Sequence, residues 1–265
     1  MNTTLFKKEM KSNWVLLIIF MAVLSMYAVM IVMMFDPKMG DSLRMMAESM
    51  PQIFAAFGML NVGVTLLDFV SSYLYGMLFI AFPAVYIIIL ANRLVVKYVD
   101  NGSMAYLLAV PEKRRKIVTT QGIFLVASLA VMVLYITCLI LGTEQILFPG
   151  ELDTAAFIRV NVGLLGLLVF LAGVCFCASC LFNESKTSTG IGTAVVVYAV
   201  LVQMISRVGD KFDYLKYATP LTLFDVDGLS AGDGKAWLMC SVLYAVGIML
   251  MLVGIGRFSR RNLPL

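Results

Sequence analysis

The chain of 265 residues contains no histidine. That removes imidazole as a general acid or base, histidine metal sites, and Ser-His or Cys-His dyads. Charge is scarce as well: 14% of residues are Asp, Glu, Lys or Arg, against about 25% in a soluble domain. Cysteine is limited to Cys138, Cys175, Cys177, Cys180 and Cys240, all inside apolar runs. None lies in a connecting loop, so a disulfide framework is not expected. Cys175, Cys177 and Cys180 have metal-like spacing. At about 100° per residue on a helix they point three ways, and no fourth ligand is near, so they read as small apolar fillers. A phosphate-binding loop is also missing. Gly232-Asp233-Gly234-Lys235 would need glycine at Leu229 and serine or threonine at Ala236.

What is present is apolar: 61% of residues are hydrophobic and the mean hydropathy is +0.94. A helix crosses roughly 30 Å of hydrocarbon with about 20 apolar residues. Six stretches qualify: 14–34, 71–95, 121–142, 160–182, 187–205 and 237–256. The fold class expected is an all-α membrane protein, with residues 1–265 forming one transmembrane domain. The first run is too long for a signal-peptide core and lacks a small-residue cleavage site, so it reads as a retained anchor.

Six spans put both termini on one side. With that side cytosolic, 13 of the 20 basic residues lie inside, beside four acids: Glu9, Asp100, Glu112 and Glu184. The inner face carries +9 and the outer face −5, which satisfies the positive-inside rule. Span interiors hold few ionisable groups. Asp68 and Arg159 sit near outer ends, where snorkelling suffices, and Gln203 and Asn161 are neutral. Ion-coupled carriers use carboxylates near the midplane, and none is seen.

Three of the segments outside the spans carry apolar stripes. Residues 1–12 form an amphipathic helix at the inner interface, with Leu5, Phe6 and Met10 on one face and Lys7, Lys8 and Lys11 away from it. Residues 41–60 form outer helices with Leu43, Met46 and Met50 on one stripe and Ile53, Phe54, Phe57 and Leu60 on the next. A lid over a translocation path and passive interfacial packing both fit them. The loop 100–116 is the third segment. Gly102 turns the chain out of the second span, Ser103 suits an N-cap, Leu107 and Leu108 extend an apolar stripe from Met104, and Pro111 stops the helix. A basic run follows, from Lys113 through Arg114 and Arg115 to Lys116. A groove in a partner and the inner leaflet are both places for such a helix.

The loop resembles the first intracellular loop of ABC transporter permeases of the type-2 export family. The residues that carry the resemblance are Asp100, Gly102, Ser103, Leu107, Leu108, Pro111 and Arg114. The layout is similar over most of the chain, including Tyr217-Ala218-Thr219-Pro220 after the fifth span and the basic tail from Arg257. Where this sequence has Tyr98 to Asp100, the family often has glutamate. The resemblance implies an N-terminal elbow helix over 1–12 and a coupling helix over 102–111. It implies a permease subunit of an ATP-driven exporter, without enzymatic activity of its own. ATP and magnesium would bind in a separate ABC ATPase subunit. Tyr106, Leu107 and Leu108 would fill a cleft of that ATPase, Arg114 and Arg115 would pair with its acidic rim or with lipid phosphate, and the short loop 183–188 would make a smaller contact. A second permease, identical or related, would complete the path. The alternative is a stand-alone carrier or channel with no ATPase. Nucleic acid is not an expected partner.

Overall fold

The structure, a computed structural model, describes residues 2–35, 45, 49–50, 52–53, 65–104, 114–206 and 210–260, with backbone alone for 210–213. Helix is the only regular structure among the described residues. Among the described residues, six helices are long and apolar enough to cross a membrane: α1 (Thr3–Met34), α2 (Leu66–Asp100), α3 (Arg114–Leu147), α4 (Thr154–Leu181), α5 (Ser185–Ser206) and α7 (Gly234–Arg260). Between the last two lie 3-10 turns over Asp210–Ala218 and Pro220–Leu223 and the short helix α6 (Val226–Ala231). All six expected spans are therefore helices.

The helix ends have local causes. Asn2 caps α1, its Oδ1 accepting from the amides of Thr4 and Leu5 at 3.1 Å. Asp153 caps α4 in the same way, at 2.9 and 3.1 Å from Ala155 and Ala156. Such caps stabilise a helix by about 1 kcal/mol. Helix α6 is capped by Asp225 and ends at Gly232, whose φ of 79° is the left-handed conformation glycine permits.

One expectation is corrected at the start of the chain. Residues 1–12 are not a separate element: α1 runs from Thr3 to Met34 without a break. Neither proline nor glycine stands near Ser12 to interrupt it. As one rod, α1 presents one face to the bundle, and that face continues from Leu24, Ala28 and Ile31 back to Asn13, Glu9 and Leu5. The expected stripe is thus rotated: Leu5 is buried, but Met10 is 53% exposed and Glu9 takes the inward position.

Helix α2 is irregular. It contains π-helical stretches over Ser71–Leu78 and Asn92–Val96, with Pro83 inside the α-helical piece between them. Proline offers no N–H to the carbonyl four residues earlier, and the first π stretch ends at that residue, Phe79, where ψ is −2°.

Helix α4 is the axis of the bundle, packed against α2, α3, α5, α6 and α7. Its most apolar stretch is 78% buried, against 22% in α1 and α5. The tightest crossing is with α7. Gly166 lies at Cys240, Gly173 at Gly247 and Cys180 at Gly254, always 74 residues apart, so the two helices run parallel and in register. A Cβ at Gly247 would lie 2.7 Å from the Val169 carbonyl oxygen and 2.9 Å from the Phe170 amide. Small residues at seven-residue steps let the two backbones touch. The buried cysteines belong to these seams: Cys240 meets Gly166, Cys180 meets Gly254 and Cys175 meets Gly192 of α5.

Candidate functional site

Long-range contacts define two ends of the bundle. At the near end, the Asn2 amide donates to Thr120 Oγ1 at 2.9 Å, joining the starts of α1 and α3. Asn92 Nδ2 donates to the Ser185 carbonyl at 3.2 Å and to Thr189 Oγ1, joining the second π stretch of α2 to the start of α5. Helix α5 already begins at Ser185, so the expected loop 183–188 is mostly helix.

The root of the 100–113 loop is also at the near end. Asp100 is exposed and closes α2. Gly102 has φ of 69°, and its amide donates to the Val99 carbonyl at 3.0 Å, so it does turn the chain out of the second span. The Ser103 hydroxyl donates backwards to the Tyr98 carbonyl at 3.3 Å. Arg114 and Arg115 open α3 at the surface, with Arg115 exposed. Tyr106, Leu107, Leu108 and Pro111 lie outside the described residues, as do most of the expected outer helices over 41–60.

Glu9 is the residue sequence reasoning missed. The residue is 1% exposed. Tyr98 Oη donates to Glu9 Oε1 at 3.0 Å, and Asn13 Nδ2 donates to Oε2 at 3.3 Å. Lys8 Nζ stands 5.3 Å from the centre of the Tyr98 ring. A cavity of ≈ 220 Å³ borders the cluster, edged by Arg93, Lys97 and Asn101. A carboxylate out of water is tolerated only when bonded, and this one has two donors. The signal in the sequence was that Glu9 is the only acid in the first 35 residues, set among Lys7, Lys8 and Lys11.

At the far end, Arg159 does more than snorkel. Its Nε donates to the Leu229 carbonyl at 3.1 Å and its Nη2 to the Ser230 carbonyl, so α4 holds the C-terminal turn of α6. Thr219 Oγ1 donates to the Ala199 carbonyl at 3.0 Å and Thr222 Oγ1 to Gln203 Oε1 at 2.9 Å, fastening the 3-10 turns to α5. A cavity of ≈ 310 Å³ lies between these turns and the first π stretch of α2. Tyr75, Phe224 and Leu221 give it apolar walls; Asp68, Asp225 and Asp227 give it acidic ones, and no lysine or arginine is among the described residues lining it. Asp225 is engaged in capping α6.

No curated protein matches the chain. A family model described as ABC-2 family transporter protein matches residues 4–263, which takes in all six long helices, the loop root with Tyr98, and the Glu9 cluster. The chain therefore belongs to the ABC-2 family of transporter proteins, as a multi-pass membrane component.

Proposed function

We propose that this chain is the permease subunit of an ATP-driven exporter in the cell membrane, with both termini and the near end of the bundle in the cytosol. The family match over residues 4–263 is the observation that carries this reading. The excess of Lys and Arg at the near end supports the orientation. A separate ABC ATPase subunit binds ATP and magnesium and docks on the loop 100–116. Leu107 and Leu108 supply the apolar contact, Tyr106 flanks them, and Arg114 and Arg115 meet acidic side chains or lipid phosphate. Asp100, Gly102, Ser103 and Pro111 shape and bound the helix over 102–111. Six spans make half of a path, so two permeases and two ATPases form the transporter.

The test is co-purification from the native membrane. The unaltered chain brings down an ATPase, and Leu107→Asp with Leu108→Asp reduces recovery at least tenfold while membrane insertion is unchanged. Two buried leucines contribute about 1.5–3 kcal/mol each, enough for that loss. Equal recovery of the ATPase with the double variant would remove the docking role from this loop. Cargo flux in liposomes without any ATPase or nucleotide would favour a stand-alone carrier.

A further inference from the structure

The Glu9–Tyr98 bond joins two parts of the chain with different duties. Tyr98 lies in the last turn of α2, two residues before the loop begins at Asp100, and its carbonyl also receives the Ser103 hydroxyl. Glu9 lies on α1, whose inward face continues through Asn13 to Leu24, Ala28 and Ile31 at the far side of the bundle. The hydroxyl–carboxylate bond at 3.0 Å is part-buried, with Glu9 turned inward and Tyr98 half-exposed, and a bond to a carboxylate is stronger than one between neutral groups. Helix α1 is a continuous rod, so a displacement of its first turns is carried along its length. The second π stretch, Asn92–Val96, sits one turn before Tyr98, where the helix is already off regular geometry.

We propose that Glu9 and Tyr98 are positioning residues that latch the root of the 100–113 loop to α1, so that a force applied to the loop reaches α1 as well as α2. This rests on the loop being the docking segment for an ATPase. The ring of Tyr98 is half-buried against the core, and its hydroxyl makes the latch.

The experiment uses the full chain in lipid nanodiscs and three variants: Tyr98→Phe, Glu9→Gln and the two combined. Hydrogen exchange is read at the amides of residues 99–104, where those of Asn101 and Gly102 are bonded to Lys97 and Val99, and at residues 6–13 of α1. Loss of a hydrogen bond to a charged group predicts about tenfold faster exchange on both sides of the bond in Tyr98→Phe. Glu9→Gln keeps a carbonyl acceptor for Tyr98 but turns an NH2 group on Asn13, and at residues 99–104 it stays within about threefold of the unaltered chain. At residues 99–104 the combined variant matches Tyr98→Phe, because on that side both changes act on one bond. Amides of α4 are unchanged. Exchange that rises on one side only, or not at all, overturns the latch.

A second arm uses the complex with the co-purified ATPase. Tyr98→Phe lowers the kcat of ATP hydrolysis severalfold, leaves the KM for ATP unchanged and keeps the complex intact. An unchanged kcat overturns the positioning role even if exchange rises. Failure of any ATPase to co-purify with the unaltered chain refutes the exporter reading instead, and the exchange arm still decides the latch.

Discussion

At the scale of single residues, the charged groups that the sequence made look incidental hold the connections together. Arg159 stands near the outer end of its span, where snorkelling would explain it, yet its guanidinium binds two carbonyls across 70 residues of chain. Replacing it with methionine keeps the stem and removes both bonds. The expected result is a loss of about 1.5–3 kcal/mol at the α6 turn, read as at least tenfold faster exchange of the Gly232 amide. Arg159→Lys restores little, since an ammonium cannot span both carbonyls in the guanidinium's planar fork. Normal exchange in Arg159→Met would mean that the turn is held by Asp225 and Gly232 alone. Glu9 belongs to the same class. Counting charge by side grouped it with the inner acids but could not see its burial, because the face it occupies is set by α1 packing as one rod.

Among the helices, the six spans were legible from hydropathy alone, because length and apolar content are what the bilayer selects. Their ends were not. The expected third span started at 121, but α3 starts at Arg114: a polar first turn is invisible to an apolar criterion and costs a helix nothing at the headgroup level. The π stretches left no signal beyond Pro83 between them. The glycine seam was not legible, because it steps by seven and needs both helices to be recognised. It makes a sharp prediction. Gly247→Ala places a methyl against the α4 backbone and costs about 1–3 kcal/mol by overpacking, seen as a lower Tm in detergent. Gly190→Ala has nothing within 4 Å of the added methyl, and removing a helical glycine stabilises by roughly 0.5–1 kcal/mol. Equal effects at the two positions would contradict the close crossing.

For the whole molecule, the near end and the far end make opposite predictions about access. In a background with the native cysteines replaced, Asn101→Cys tests the near end and Lys235→Cys the far end. On intact cells an impermeant maleimide is expected to label Lys235→Cys and to spare Asn101→Cys until the membrane is opened. The reverse pattern would invert the topology and with it the place where an ATPase could dock. The parallel pairing of α4 with α7 also bears on how the molecule is made. In the chain, α7 follows α4 only after all of α5 and α6. The glycine face of α4 must therefore wait in lipid, unmatched, while some fifty more residues are synthesised, and the axis of the bundle is the last part to close.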